Sequence, residues 1–156
     1  MSDTNTPVSR RRFCAEACQV ASCATFATLF SACGGGPTSP SGTASMLGVL
    51  SGRFTGSGVQ VTVAGSALAD VGGAVLVESI AGVFLVARTS ASAFSAVDAV
   101  CSHQSCTITG TDGDTYVCPC HGSRYNRSGG VVRGPAMASL RRFSTTVTDG
   151  VVTIAL

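Results

Sequence analysis

Lysine is absent from this chain of 156 residues, and charged residues of any kind make up only 12% of it. All of the positive charge is arginine, and nothing in the sequence explains the missing lysine. Beyond Ala32, seven arginines face six acidic residues, so that part of the chain is nearly neutral. Such a balance offers no electrostatic footprint for nucleic acid. No convincing amphipathic helix is visible either, which argues against a helical bundle. A spanning helix wants about 20 mostly apolar residues. The best candidate, Ala15 to Ala32, is interrupted by Glu16 and Gln19.

What is present reads as strands. Val59-Gln60-Val61-Thr62-Val63 alternates as a half-buried strand should. Ala74 to Val77 and Val83 to Val86 are short apolar runs separated by Ala81-Gly82, a hairpin pattern. Ala96 to Val100 leads into Cys101. Near the end, Phe143 to Thr148 and Val151 to Ile154 are joined by Asp149-Gly150, a favoured two-residue turn. Many short strands with Gly-rich turns predict an all-β sandwich or barrel, about one domain in size.

Between those strands lies the chemistry. Cys101-Ser-His103-Gln-Ser-Cys106 is followed by Cys118-Pro-Cys120-His121-Gly-Ser123. A C-x-H and a C-x-x-H together offer two thiolates and two imidazoles, which suit a tetrahedral zinc or an iron–sulfur cluster with histidines on one iron. The additional pair, Cys106 and Cys120, together with Pro119, Gly122 and Ser123, favours the cluster, because zinc requires none of them.

At these residues the chain resembles the Rieske [2Fe–2S] proteins, whose loops read C-T-H-x-G-C and C-P-C-H-G-S. The first loop departs from that pattern with Ser102 for Thr and Ser105 for Gly. The resemblance runs from about Gly58 to Leu156. It implies an antiparallel β-sandwich or barrel whose two loops form a small cluster-binding subdomain. Cys101 and Cys118 would hold the inner iron of the [2Fe–2S] cluster, and His103 and His121 the outer one. Cys106 and Cys120 would be joined in a disulfide. Ser123-Arg124-Tyr125 matches the Ser-x-Tyr element of high-potential members, in which Ser123 would donate to a bridging sulfide and Tyr125 to the sulfur of Cys101. Donors aimed at sulfur stabilise the added electron and raise the potential. Rieske potentials span about −150 to +300 mV, and the upper half is expected here. Gly134-Pro135-Ala136 looks like the family's proline loop over the cluster. Arg124, Arg127 and Arg133 are near the site in sequence and read as a solvated rim rather than a docking patch.

The N-terminal region points to where this chemistry takes place. Ser9-Arg10-Arg11-Arg12-Phe13 matches the twin-arginine export pattern, a route for proteins already folded around a cofactor. The following segment ends in Ser31-Ala32-Cys33-Gly34, which resembles a bacterial lipobox with Cys33 as the lipidated residue. An uncleaved anchor is the rival reading. Gly34 to Thr43 lacks apolar residues and suits a flexible tether. Cys14, Cys18 and Cys23 carry no assigned role. Three regions are therefore expected: an export signal at 1–32, a lipidated neck at 33–57 and a Rieske domain at 58–156.

The function implied is single-electron transfer on the periplasmic face of a bacterial membrane, from a quinol or other redox donor to a cytochrome-like acceptor. The chain could equally be the iron–sulfur subunit of a quinol–cytochrome c reductase or of a molybdenum oxidoreductase such as arsenite oxidase. A dioxygenase ferredoxin fits less well, since those ferredoxins are cytoplasmic and lack the surplus cysteine pair. A zinc-stabilised binding module is the reading without redox chemistry.

Overall fold

The computed structural model describes residues 44–156; the expected export signal at 1–32, Cys33 and residues 34–43 of the expected neck lie outside them. Fourteen strands and a single 3-10 turn, Ala67–Ala69, form the described part. In chain order the strands are β1 (Ser45–Met46), β2 (Gly48–Ser51), β3 (Arg53–Phe54), β4 (Gly58–Thr62), β5 (Ala74–Ser79), β6 (Gly82–Arg88) and β7 (Phe94–Asp98). They continue with β8 (Gly110–Asp112), β9 (Thr115–Val117), β10 (Arg124–Asn126), β11 (Val131–Arg133), β12 (Arg142–Phe143), β13 (Thr145–Thr148) and β14 (Val151–Ala155). The expected all-β class is what is observed. No helix among the described residues is long and apolar enough to cross a membrane.

The described residues form three sheets, ordered β1-β8-β9-β10-β11, β12-β7-β6-β5-β2 and β13-β14-β4-β3. The central strands of the second sheet, β5 and β6, are buried on both faces, which is why they read as continuous apolar runs. Along β5, Ala74 and Leu76 join one core, while Val75 and Val77 join another. Along β6, Leu85 and Ala87 face the first core, and Phe84 and Val86 the second. Side chains of a strand alternate between faces, so a strand between two cores must be apolar at every position. The first core also contains Cys101, Cys118, Tyr116 and Tyr125 and lies beneath the functional loops.

The ordered part begins earlier than the sequence pattern indicates. Residues 45–54, assigned to the neck, form β1, β2 and β3 in succession and pair with all three sheets. β1 pairs antiparallel with β8, β2 parallel with β5 and β3 antiparallel with β4. Leu47 is buried in the first core. The crossing between sheets needs Gly52, where a Cβ would lie 2.4 Å from Val59 Cγ1 and 2.8 Å from Val77 Cγ1. The segment was illegible because short strands separated by polar and glycine residues show no sustained alternation. At the other end, β13 and β14 form the expected hairpin. Its turn residues Asp149 (φ 49°) and Gly150 (φ 73°) both have positive φ, as a type I′ turn requires.

Candidate redox centre

Three loops converge at one end of the first sheet. Loop 1 follows β7 and carries Cys101, His103 and Cys106. Loop 2 joins β9 to β10 and carries Cys118, Cys120, His121 and Ser123. The proline loop joins β11 to β12, and its Gly134–Pro135 peptide is cis. Antiparallel pairing of β9 with β10 fixes loop 2 at both ends. An isolated bridge between Val100 and Thr107 closes loop 1.

Both loops use the same backbone device. The Cys101 N–H donates to the Cys106 carbonyl at 2.8 Å, and the Ser105 N–H donates back to the Cys101 carbonyl at 2.9 Å. In loop 2 the Cys118 N–H donates to Ser123 O at 2.9 Å, and the Gly122 N–H to Cys118 O at 3.0 Å. A disulfide joins Cys106 to Cys120 and ties the loops to each other. The sulfurs of Cys106, Cys118 and Cys120 lie within 4.8 Å of one another, so the disulfide packs beside the free Cys118 thiol.

The four residues expected to hold a cluster are brought together. Cys101 and Cys118 are free and buried. The rings of His103 and His121 meet edge to face, with centroids 4.8 Å apart. His103 Nδ1 is buried with no hydrogen-bond partner. A buried nitrogen without a partner is costly, and metal ligation would satisfy it. Two thiols and two imidazoles make up the donor set of a [2Fe–2S] cluster in which histidines replace cysteines on one iron. The residues present fit the group.

The hydrogen-bonding residues after loop 2 are also where the Ser-x-Tyr pattern places them. Tyr125 and Ser123 are fully buried. Tyr125 Oη lies 3.2 Å from Cys101 Sγ. Ser123 Oγ accepts the Ala136 N–H of the proline loop at 3.0 Å. Burial works to raise the Cys101 thiol, but hydrogen bonds from Tyr125, the His103 backbone, Cys118 and Ser123 outweigh it and leave the pKa below the ordinary value. Burial and the neighbouring Cys101 push Cys118 up. Burial and Cys101 likewise raise Tyr125, so its phenol stays protonated and able to donate. At Cys101, a thiolate-stabilising pocket suits a cysteine that must ligate metal.

Sequence reasoning missed Ser102. Its N–H donates to Tyr125 Oη at 3.2 Å, and its Oγ sits 3.1 Å from the same oxygen. It stood out in the sequence only as a departure from threonine. The three arginines near the site have separate fates. Arg124 pairs with Asp112 on β8. Arg127 stacks over the Tyr116 ring at 4.6 Å and donates to Gly113 O at 2.8 Å. Arg133 alone is exposed without an ion-pair partner among the described residues. A surface patch needs free charges, so these three make no concerted docking patch.

Comparison with known proteins agrees with this geometry. The family profile of the Rieske [2Fe-2S] domain matches residues 57–144. The cytochrome b6-f complex iron-sulfur subunit 2 of Synechocystis sp. is 48% identical over 54 residues, 34% of this chain and 30% of that protein. The chloroplastic cytochrome b6-f complex iron-sulfur subunit of Oryza sativa subsp. japonica is 46% identical over 57 residues, 36% of this chain and 25% of its own length. The chain therefore spans less than a third of these curated relatives. A solved complex of reduced oxygenase and oxidized ferredoxin in carbazole 1,9a-dioxygenase contains a chain 26% identical to this one, with TM-score 0.51. That match covers 60% of this chain and 96% of the other.

Proposed function

Because this chain belongs to the Rieske [2Fe–2S] family and its cofactor is a Rieske-type [2Fe–2S] cluster, we propose that it is a membrane-tethered, high-potential electron-transfer protein. Cys101 and Cys118 would hold one iron, and His103 and His121 the other. When bound, the cluster supplies reversible one-electron exchange. The chain's own residues do the rest. The disulfide and the two serine contacts to the proline loop hold the ligand loops in register. Tyr125 and Ser123 place hydrogen-bond donors against sulfur. Burial of Cys101 and Cys118 keeps water from the thiolates, while His121 is exposed at the surface where a partner can approach.

The observation that carries this reading is Tyr125 Oη at 3.2 Å from Cys101 Sγ, inside a disulfide-tied pair of Cys/His loops. A donor at that position favours the reduced state and argues for the upper part of the Rieske potential range. The curated relatives, iron-sulfur subunits of cytochrome b6-f complexes, support a quinol as donor and a cytochrome-like protein as acceptor. The disulfide suits an oxidising compartment. Together with the twin-arginine pattern at Ser9 to Phe13 and the lipobox-like Cys33, it supports a periplasmic location and a lipid tether. The site is equally suited to an independent carrier or to a subunit of a quinol-oxidising or molybdenum-containing complex.

Protein-film voltammetry on the purified, cluster-loaded chain tests the central reading. Ser123→Ala and Tyr125→Phe should each lower the potential by tens of millivolts to about 100, the equivalent of one charge-assisted hydrogen bond. Unchanged potentials in both would remove the high-potential assignment. Membrane attachment is tested separately by Cys33→Ser. Loss of membrane fractionation and of processing is expected. A variant that stays membrane-bound, with wild type and variant both unshortened, would favour an uncleaved anchor.

A further inference from the structure

Ser102 follows the candidate ligand Cys101 and is exposed, yet its polar groups all point inward. Its hydroxyl donates to the Ala138 carbonyl in the proline loop. Its N–H donates to Tyr125 Oη at 3.2 Å, and its Oγ lies 3.1 Å from that oxygen. A serine hydroxyl has one proton. With that proton given to Ala138, Ser102 Oγ can only accept from Tyr125.

The phenol proton then has two destinations, Ser102 Oγ at 3.1 Å and Cys101 Sγ at 3.2 Å. A bond to an ionised sulfur is charge-assisted and roughly twice as strong as one to a neutral oxygen. The proton therefore goes to Cys101, and Ser102 is no effective rival for it. What remains for Ser102 is to hold the phenol oxygen through its N–H, while its hydroxyl fastens it to the proline loop. On the far side of that loop, the Ala136 N–H donates to Ser123 Oγ at 3.0 Å. The proline loop is thus fastened to each ligand loop through one serine, once by a carbonyl and once by an N–H.

We propose that Ser102 is a positioning residue of the redox centre: anchored on Ala138, it keeps Tyr125 Oη against Cys101 Sγ and so helps to set the reduction potential. This rests on Cys101 being a cluster ligand. Replacing the hydroxyl frees loop 1 from Ala138, so the Ser102 N–H no longer holds the phenol oxygen firmly in place and the bond to sulfur weakens.

The test is voltammetry of the full, cluster-loaded chain in five forms besides wild type. Ser102→Ala should lower the potential by part of the shift seen in Tyr125→Phe. In Tyr125→Phe protein, adding Ser102→Ala should change nothing further. Ser102→Thr should keep the wild-type potential, and Ser102→Val, equal to it in shape but without the hydroxyl, should follow Ser102→Ala. An unchanged or raised potential in Ser102→Ala overturns the proposal, as does a shift of equal size in the Tyr125→Phe background. Failure of both hydroxyl-free variants to hold the cluster, with Ser102→Thr holding it, also overturns it by assigning Ser102 a structural role. Electron paramagnetic resonance of the reduced wild type separates the two levels. Absence of a Rieske-type signal would defeat the cluster assignment itself, whereas a normal signal with unmoved potentials defeats only the role of Ser102.

Discussion

Loop 1 and loop 2 repeat one backbone and diverge in side chains. In each, the leading cysteine is bridged to the residue four positions on and to the one five positions on. In each, the residue four positions on takes a left-handed conformation: Ser105 at φ 55° and Gly122 at φ 72°. The histidines do not correspond, since His103 follows its cysteine by two residues and His121 by three. The donors are lopsided as well, for Ser123 ends loop 2 and Tyr125 follows it on β10, while loop 1 has only Ser102 beside its cysteine. The difference teaches that a duplicated scaffold fixes where two thiols and two imidazoles meet, while unequal side chains tune what they do there.

The most severe way to break the comparison is to remove one thiol from either half. Cys101→Ser and Cys118→Ser should each abolish the cluster, read as loss of visible absorption and of the reduced-state paramagnetic signal. Retention of the cluster by one of them would mean that the two halves are not equivalent in ligation.

Cutting the tie between the halves comes next. Replacing both Cys106 and Cys120 by alanine opens a bridge that spans a separation of 14 residues. A closed loop of that size contributes about 3 kcal/mol in the chain-entropy picture. Urea unfolding of the loaded protein should show a loss of that order. An unchanged midpoint would mean that the cluster alone holds the loops together.

Between the two halves lies Tyr116 on β9, fully buried, with a hydroxyl that has no hydrogen-bond partner. Burial pushes its pKa up to about 12, against the opposing pull of the Arg127 guanidinium. The unfolded phenol ionises near 10, so between about pH 10 and 12 the unfolded state releases a proton that the folded state keeps. Stability from this group is therefore fully present below pH 10 and is lost as pH rises, by about 2–3 kcal/mol in all. Tyr116→Phe should flatten that alkaline decline in pH-dependent unfolding. A decline of undiminished size in the variant would assign it to other groups.

The gentlest test exchanges the left-handed residues. A non-glycine residue in that conformation costs roughly 1–2 kcal/mol, offset in part by the entropy glycine loses on folding. Ser105→Gly should raise stability by about 0.5–1 kcal/mol, and Gly122→Ser should lower it by a similar amount, both measured by thermal unfolding. Equal signs would show that the loops are not related as described.

The fold class and the redox centre were legible in the sequence for different reasons. Alternation in Val59 to Val63 and the Asp149-Gly150 turn are local properties, and β4 and the β13–β14 hairpin follow from them. The Cys and His spacings are local too, because a tight loop can present only certain positions to a common point. Arg124 and Arg127, by contrast, are drawn away from the rim by Asp112 and Tyr116, which no spacing rule reveals. Residues 45–54 looked like tether because their strands are two to four residues long and gain meaning only from the sheets they join.

By itself, then, the sequence determined the donor set, the β class and the candidate export and lipidation signals, since each depends on residue type within a short window. Only the tertiary structure decided that the Ser102 hydroxyl goes to Ala138, 36 residues away. It alone decided that the proline loop is fastened through both serines, and that residues 45–54 tie three sheets together. Those contacts join segments distant along the chain, and their geometry exists only once both cores have packed.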